Sequence, residues 1–240
     1  MKEISDARRR IERLDWEHIE QSLDEKGYAT TPALLTAQQC ASLIALYPDR
    51  ERFRKKVDMT RLRFGVGEYK YFADPLPPIV AELRAAFYPR LAPIANRWSS
   101  ALVVSAPPLP SDLTGYLRYC ADRGQTKPTP LMLRYEAGGY NCMHQDIYGE
   151  VVFPLQITVA LSRREADYSG GEFLLLEDRP RAQARCSALT LERGEAVIFP
   201  SSFRPIRGLR GYYRARMRHG VSPLHRGLRY TLGIIFHNAA

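Results

Sequence analysis

Two rhythms of apolar and polar residues run along the chain. From Ile4 to Lys26 the apolar positions Ile11, Leu14, Ile19 and Leu23 lie at helical spacings, and Gly27 follows as a C-terminal stop. GYATTPALL reads as a short strand and turn. Thr36, with Gln39 three residues on, makes a capping box for a second helix reaching Ala45. PPIVAELRAAFYPRLAPIANRWSSAL predicts a third helix interrupted at Pro89 and Pro93, because proline lacks an N–H and crowds the preceding turn. The proline-rich APPLPSDL, residues 106–113, is the expected boundary between an N-terminal helical layer, residues 1–110, and the main body, residues 111–240.

Beyond about residue 129 the period shortens towards the two of a β-strand. PLMLRYEAG, FPLQITVALS, GGEFLLLE, SALTLE, EAVIFP, YYRARMRHGV and LRYTLGIIF are strand-length segments separated by glycine and charged turns. That density predicts an α+β chain with a mainly β core, a sandwich or jelly roll, and helices packed on its outside. GGEF at 170–173 reads as a hairpin or bulge, since paired glycines relax the backbone.

With 240 residues, 45% of them apolar, the chain can bury a substantial core as one unit. No apolar run approaches the roughly 20 residues of a membrane span, and MKEISDARRRIERLDWEHI lacks the apolar block of a secretory signal. No membrane partner and a cytoplasmic location are therefore expected. Cys40, Cys120, Cys142 and Cys186 form no C-x-x-C pair, which fits neither a disulfide framework nor a thiolate zinc site.

The net charge of +9 is unevenly spread. Arg179 to Arg229 holds 12 arginines and no lysine, against Glu192 and Glu195 alone. A second basic cluster runs Arg50, Arg52, Arg54, Lys55, Lys56, Arg61, Arg63. Such surfaces favour polyanions, nucleic acid included, because neutralised phosphates release counterions; a solvated basic face is the alternative. In SFRPIRGLRGYYRARMRHG, interleaved arginines and tyrosines would grip phosphates and stack on bases, which makes Arg204, Arg207 and Arg210 candidate substrate contacts. Equally, alternation in YYRARMR would put Tyr213, Ala215 and Met217 inside and the arginines outside.

The sharpest chemical signal is HQDIYGE, residues 144–150. On a strand His144 and Asp146, two apart, share one face. An H-x-D triplet alone is common by chance, so a third ligand decides. Of the downstream histidines, His225 sits in a polar turn and His237 is nearly terminal with no basic residue after it. His219 lies in the strand-like RMRHGVSPL, ten residues before Arg229 at the start of the last strand. His144, Asp146 and His219 would form the 2-His-1-carboxylate facial triad that holds non-haem Fe(II) and leaves open positions. Cys142, on the same face, is expected as a small buried filler. Tyr148, just beyond, would touch substrate or simply turn the chain.

The H-x-D…H pattern with a basic residue about ten positions on resembles the Fe(II)/2-oxoglutarate-dependent dioxygenase superfamily. LRYEAGGYNCMHQD resembles the strand entering the iron site in prolyl hydroxylases and AlkB-type demethylases. Over FGVGEYKYF, RYEAGGYNCMHQDIYGEVVFPLQ, GGEFLLLEDRPR and RHGVSPL the chain is similar to a prokaryotic group of these oxygenases with a proposed role on damaged nucleic acid. The resemblance implies a double-stranded β-helix, with Fe(II) on His144, Asp146 and His219. It also implies 2-oxoglutarate and O2 as co-substrates, the distal carboxylate of 2-oxoglutarate being met by Arg229 and Tyr135. The implied reaction couples decarboxylation of 2-oxoglutarate to hydroxylation of a substrate C–H bond, which on an N-methyl group releases formaldehyde. AlkB-type enzymes usually finish with R-x-N-x-T-x-R, whereas RYTLGIIF keeps Arg229 but has Thr231, Gly233 and Ile235 at the later positions, and Leu133 stands where those enzymes carry asparagine. HGVSPLHRGLRYTL resembles prolyl-hydroxylase-like sequences equally well. Alkylated nucleic acid is the favoured substrate, a protein or amino-acid side chain the alternative, and a non-catalytic polyanion-binding jelly roll the reading from another class.

Overall fold

The segments of period two pair into two antiparallel sheets. The structure, a computed structural model, describes residues 6–105 and 107–240. In chain order the elements are α1 (Asp6–Glu12), α2 (Trp16–Lys26), β1 (Ala29–Thr31), α3 (Ala37–Ala45), β2 (Phe53–Asp58), α4 (Met59–Leu62), β3 (Gly65–Val66), β4 (Glu68–Phe72), α5 (Pro78–Ala101) and α6 (Leu113–Ala121). There follow β5 (Leu131–Glu136), β6 (Tyr140–His144), β7 (Leu155–Ala160), β8 (Tyr168–Gly170), β9 (Phe173–Asp178), β10 (Arg185–Leu189), β11 (Ala196–Pro200), β12 (Phe203–Gly208), β13 (Gly211–Val221) and β14 (Leu224–Ile234). The larger sheet runs β1-β11-β7-β14-β5-β4-β2, with β8 also paired to β14. The smaller runs β10-β9-β13-β6-β3, with β12 also on β13.

Side-chain parity divides the interior. Leu155, Ile157 and Val159 of β7, Ala196 and Ile198 of β11, and Leu232 and Ile234 of β14 face one way, into a core completed by Leu23, Leu43, Phe87, Leu91 and Tyr116 of the helices. The opposite residues of the same strands face the smaller sheet, where Val197 and Phe199 pack on Phe173 and Leu175. The helices therefore cover one face of the larger sheet, as the pattern predicts.

Several details differ from the sequence reading. Residues 1–110 are more than a helical layer: β1 pairs with β11, β4 with β5, and β3 with β6, so this region extends both sheets. Of the first predicted helix Ile4 lies outside the described residues, and the remainder breaks into α1 and α2 at Asp15, whose side chain accepts from the His18 N–H at 3.0 Å. Gly27 ends α2 at φ 81°, as expected, and the Thr36–Gln39 capping box is formed. α5 is continuous through both prolines. Pro89 and Pro93 are exposed, as is Ala85, so the carbonyls left without an N–H partner lie towards water and are solvated at little cost. The opposite face, with Leu83, Phe87, Leu91 and Trp98 buried, holds the helix to the sheet. α6 had no predicted counterpart; Asp112 starts it by accepting from the Gly115 N–H at 2.9 Å.

Candidate active site

A cavity of about 460 Å³ lies between the sheets, and parity decides what lines it. From the larger sheet come Tyr135 of β5, Gln156 and Thr158 of β7, and Arg229 and Thr231 of β14; from the smaller sheet come His144 of β6 and His219 of β13. β13 alternates arginines outward and Tyr213, Ala215 and Met217 inward, and His219 continues the inward series. The strand alternative for YYRARMR is thus the arrangement found.

His219 and His144 are direct partners in the β13–β6 ladder, so the register places the two imidazoles side by side, with ring centroids 4.1 Å apart. β6 ends at His144, and Asp146 lies in the extended segment beyond it. Gln145 fixes that segment, its Nε2 donating to the Ser202 carbonyl at 2.7 Å and the Met217 carbonyl at 2.9 Å. Asp146 is thereby turned to the histidines: its Oδ2 is 3.2 Å from His219 Nε2 and its Oδ1 3.7 Å from His144 Nε2. The three donor atoms lie within 4.8 Å of one another, and no other such group occurs among the described residues. Donors about 2.1 Å from one ion have this kind of spacing. His144 Nδ1 lies 2.8 Å from the Cys142 carbonyl; donating there leaves the Nε2 lone pair free for a metal.

The charges are arranged as a cation site requires. Burial opposes ionisation of Asp146, but the His219 and His144 imidazoles and the Tyr148 hydroxyl outweigh it and hold the carboxyl well below its usual range. The Tyr148 hydroxyl donates to Asp146 Oδ1 at 2.6 Å. Burial and the neighbouring His144 lower the pKa of His219, which keeps a ligating ring neutral.

The same cavity also offers a place for an anion. Arg229 is buried, and its Nε has no hydrogen-bond partner among the described residues. Its guanidinium sits 5.6 Å from the Tyr135 ring and 5.7 Å from the Tyr168 ring, and register sets it directly opposite Tyr135. Burial pushes the Tyr135 hydroxyl up to about 12 against the opposing pull of Arg229, so it stays protonated as a donor. Asn141 donates to that hydroxyl at 3.4 Å. A buried guanidinium with an unsatisfied Nε is costly unless a carboxylate meets it. The residues present therefore fit a ferrous ion at the triad and a dicarboxylate's distal group at Arg229.

The structure separates the candidate substrate residues. Tyr148 lines the cavity, though its hydroxyl is engaged with Asp146. Arg204 is not a surface contact: it is 1% exposed, its Nε donates to Glu177 Oε2 at 2.6 Å and its Nη1 to the Asp24 carbonyl at 2.8 Å. Inward parity on β12 put it in the interior, where only a full set of partners makes a guanidinium tolerable. Arg207 and Arg210 are exposed around the β12–β13 turn and do not line the cavity. Cys142 is exposed rather than buried. Gly170 and Gly171 both have positive φ, and a Cβ on Gly171 would lie 2.6 Å from the Leu224 side chain, which accounts for the pair. Sequence reasoning named Arg63 only within the second basic cluster, and missed Phe64 and Tyr69 from the β2–β4 region, Asn141, and the bridging Gln145. The signal available for Tyr69 and Tyr71 was their spacing of two in EYKYF.

Residues 67–239 match an oxygenase family described as catalysing oxidative methylation of damaged DNA. Two uncharacterized proteins of Mycobacterium tuberculosis, from two strains, are each 47% identical over 169 residues, covering 70% of this chain and 72% of theirs. Among solved structures, a Pseudomonas putida prolyl-4-hydroxylase aligns with TM-score 0.54 and 14% identity over 94% of this chain and 99% of its own. An oxidoreductase of the 2OG-Fe(II) oxygenase family from Burkholderia pseudomallei gives 0.52 and 15%, over 95% and 93%. These two likenesses establish a shared fold.

Proposed function

Because the chain belongs to this oxygenase family, within the Fe(II)/2-oxoglutarate-dependent superfamily, we propose that it oxidatively demethylates alkylated nucleic acid. The observation that carries the reading is one cavity lined both by the converging His144, Asp146 and His219 and by the buried Arg229, whose Nε has no hydrogen-bond partner among the described residues. Oxidation acts on a methyl group already present, so the family's chemistry on damaged DNA is read here as removal of a methyl. Four unpaired thiols and a ferrous requirement suit a reducing compartment, and we place the protein in the cytoplasm.

His144, Asp146 and His219 would hold Fe(II). Arg229 would take the distal carboxylate of 2-oxoglutarate through its planar fork, with the Tyr135 hydroxyl donating to the same group. Bound Fe(II) with 2-oxoglutarate and O2 supplies the oxidising chemistry that hydroxylates an otherwise inert C–H bond. Tyr148 keeps the Asp146 carboxylate oriented, and Gln145 keeps the segment carrying it against β13. The walls of the cavity, Leu131, Leu133, Phe173 and Ile235 among them, exclude water from the reacting centre.

Anaerobic titration with Fe(II) and then 2-oxoglutarate should produce the weak visible charge-transfer band of the chelate, absent in H219A. Iron-loaded protein given methylated oligonucleotides in air should then release formaldehyde and succinate in equal amounts. No band from folded protein would remove the metal assignment. A band with no formaldehyde from DNA or RNA, but with gain of one oxygen in a peptide library, would transfer the assignment to side-chain hydroxylation.

A further inference from the structure

A second depression of about 620 Å³ adjoins the cavity, with Phe64, Tyr69 and Tyr148 lining both. The walls of the second come from β2, the α4–β3 turn, β4 and the chain's last residues. Its cationic side chains are Arg54, Lys55 and Lys127, with Arg63 at the adjoining mouth of the first, and no aspartate or glutamate lines it.

Position beside the cavity distinguishes this surface from the arginine-rich segment. There Arg179 and Arg204 pair with Glu177, Arg218 with Asp178 and Arg226 with Glu165, and the exposed Arg207, Arg210, Arg214 and Arg216 line neither volume. Next to the groove Lys56 pairs with Glu68 and Arg61 with Asp58, but Arg54, Lys55 and Arg63 have no carboxylate within ion-pair distance among the described residues. Arg54 donates through Nε to the Pro128 carbonyl at 2.8 Å and lies over the Tyr71 ring at 4.6 Å, which fixes its position. Lys127 Nζ is held at 2.9 Å by the Ala240 backbone oxygen. Between these cations Phe64 is 47% exposed, at the junction of the two volumes, with Leu62 52% exposed beside it. Unpaired cations beside an exposed aromatic ring are what a flexible anionic strand with stacking bases recognises.

We propose that this groove binds the sugar-phosphate backbone of a single nucleic-acid strand: Arg54, Lys55 and Arg63 meet phosphates, Phe64 stacks on a neighbouring base, and one base enters the cavity. The inference rests on the demethylase reading. It adds single-strand preference, because a base reaches an enclosed cavity only after leaving its stack, and an unpaired one has no pairing to lose.

The test is fluorescence anisotropy with labelled oligonucleotides of about 12 nucleotides, single-stranded and duplex, across a salt series. K55Q/R63N suits it, because Lys55 is exposed and Arg63, at φ 58°, occupies a conformation that asparagine tolerates. Thermal unfolding checks that the variants remain folded. Wild type should prefer the single strand. The double variant should bind at least about tenfold more weakly, with a log–log salt slope shallower by about 0.7 for each phosphate left without its cation. F64A should lose roughly five- to a hundredfold, and R207Q/R210Q should bind as wild type. Wild-type affinity and slope in K55Q/R63N, with loss in R207Q/R210Q, overturns the groove and leaves the demethylase reading standing. No binding of any oligonucleotide by wild type, with a peptide pool bound instead, removes both.

Discussion

At the scale of single residues the site turns on charges that burial makes expensive. Arg229→Gln removes the buried cation that lines the cavity, so about 1.5–3 kcal/mol of 2-oxoglutarate affinity should go with the charge-assisted pair. The expected result is a KM for 2-oxoglutarate raised roughly ten- to a hundredfold in a succinate assay, with Fe(II) affinity nearly kept. An unchanged KM would take Arg229 out of co-substrate binding. His237 gives a pH signature. Its Nδ1 accepts from the Phe153 N–H at 3.2 Å, and burial drops its pKa to about 4 from an ordinary 6.5. The unfolded chain takes up that proton first, so its contribution to stability is complete above pH 6.5 and is lost as pH falls towards 4. Metal-free H237Q should therefore show a shallower fall of Tm between those limits than wild type, and an identical slope would refute the assignment. His219 titrates in the same direction, so the difference between the two proteins is the quantity to read. His144 and His219 were legible because strand parity and the ten-residue offset to Arg229 are properties of sequence spacing, whereas Asp146 lies just beyond β6, in the segment that Gln145 holds. Arg204 was not, because charge density says nothing about burial: its partners Glu177 and the Asp24 carbonyl are 27 and 180 positions away.

At the scale of elements the close approach of β6 and β13 sets the distance between the two histidines. Gly220 permits it, since a Cβ there would stand 2.7 Å from the Asn141 carbonyl oxygen and 2.9 Å from Met143 Sδ. The ladder register also shifts between His219 and Val221, at this glycine. Gly220→Ala should push β6 from β13, cost about 1–3 kcal/mol in unfolding free energy and weaken Fe(II) binding about ten- to a hundredfold. Isothermal titration under anaerobic conditions measures the second effect; wild-type affinity in a destabilised variant would show that the triad does not depend on this close approach. Strands β7, β9 and β11 could be read from their periodicity because each buries at least one whole face, and β5, β13 and β14 because each buries one face along part of its length. β2–β4 could not: FRKKVD carries three charges in a row and then an aspartate, and β3 is two residues long. α5 was misread for the opposite reason, since a rule about proline in isolation omits which side of the helix the proline occupies.

At the scale of the whole molecule the question is whether the oxygenase core stands without its first 110 residues. Their helices supply one side of the main core, with Ile11, Leu23, Leu43, Phe87 and Leu91 set against β7, β11 and β14. Their strands close both ends of the larger sheet, β1 on β11 and β4 on β5, and one end of the smaller, β3 on β6. The buried Arg204 ties the C-terminal end of α2 to β12 through the Asp24 carbonyl. Removing residues 1–110 would therefore uncover a continuous apolar face, leave β5, β6 and β11 with unpaired edges, and strip a buried guanidinium of a partner, each a cost with no compensation in the remainder. A protein of residues 111–240 should show no cooperative thermal transition by circular dichroism, should aggregate on gel filtration, and should bind no Fe(II). Should it instead unfold cooperatively and give the charge-transfer band with 2-oxoglutarate, the N-terminal region would be a separable cover. The groove beside the cavity, whose β2–β4 walls that protein lacks, would then be a graft onto a self-sufficient site.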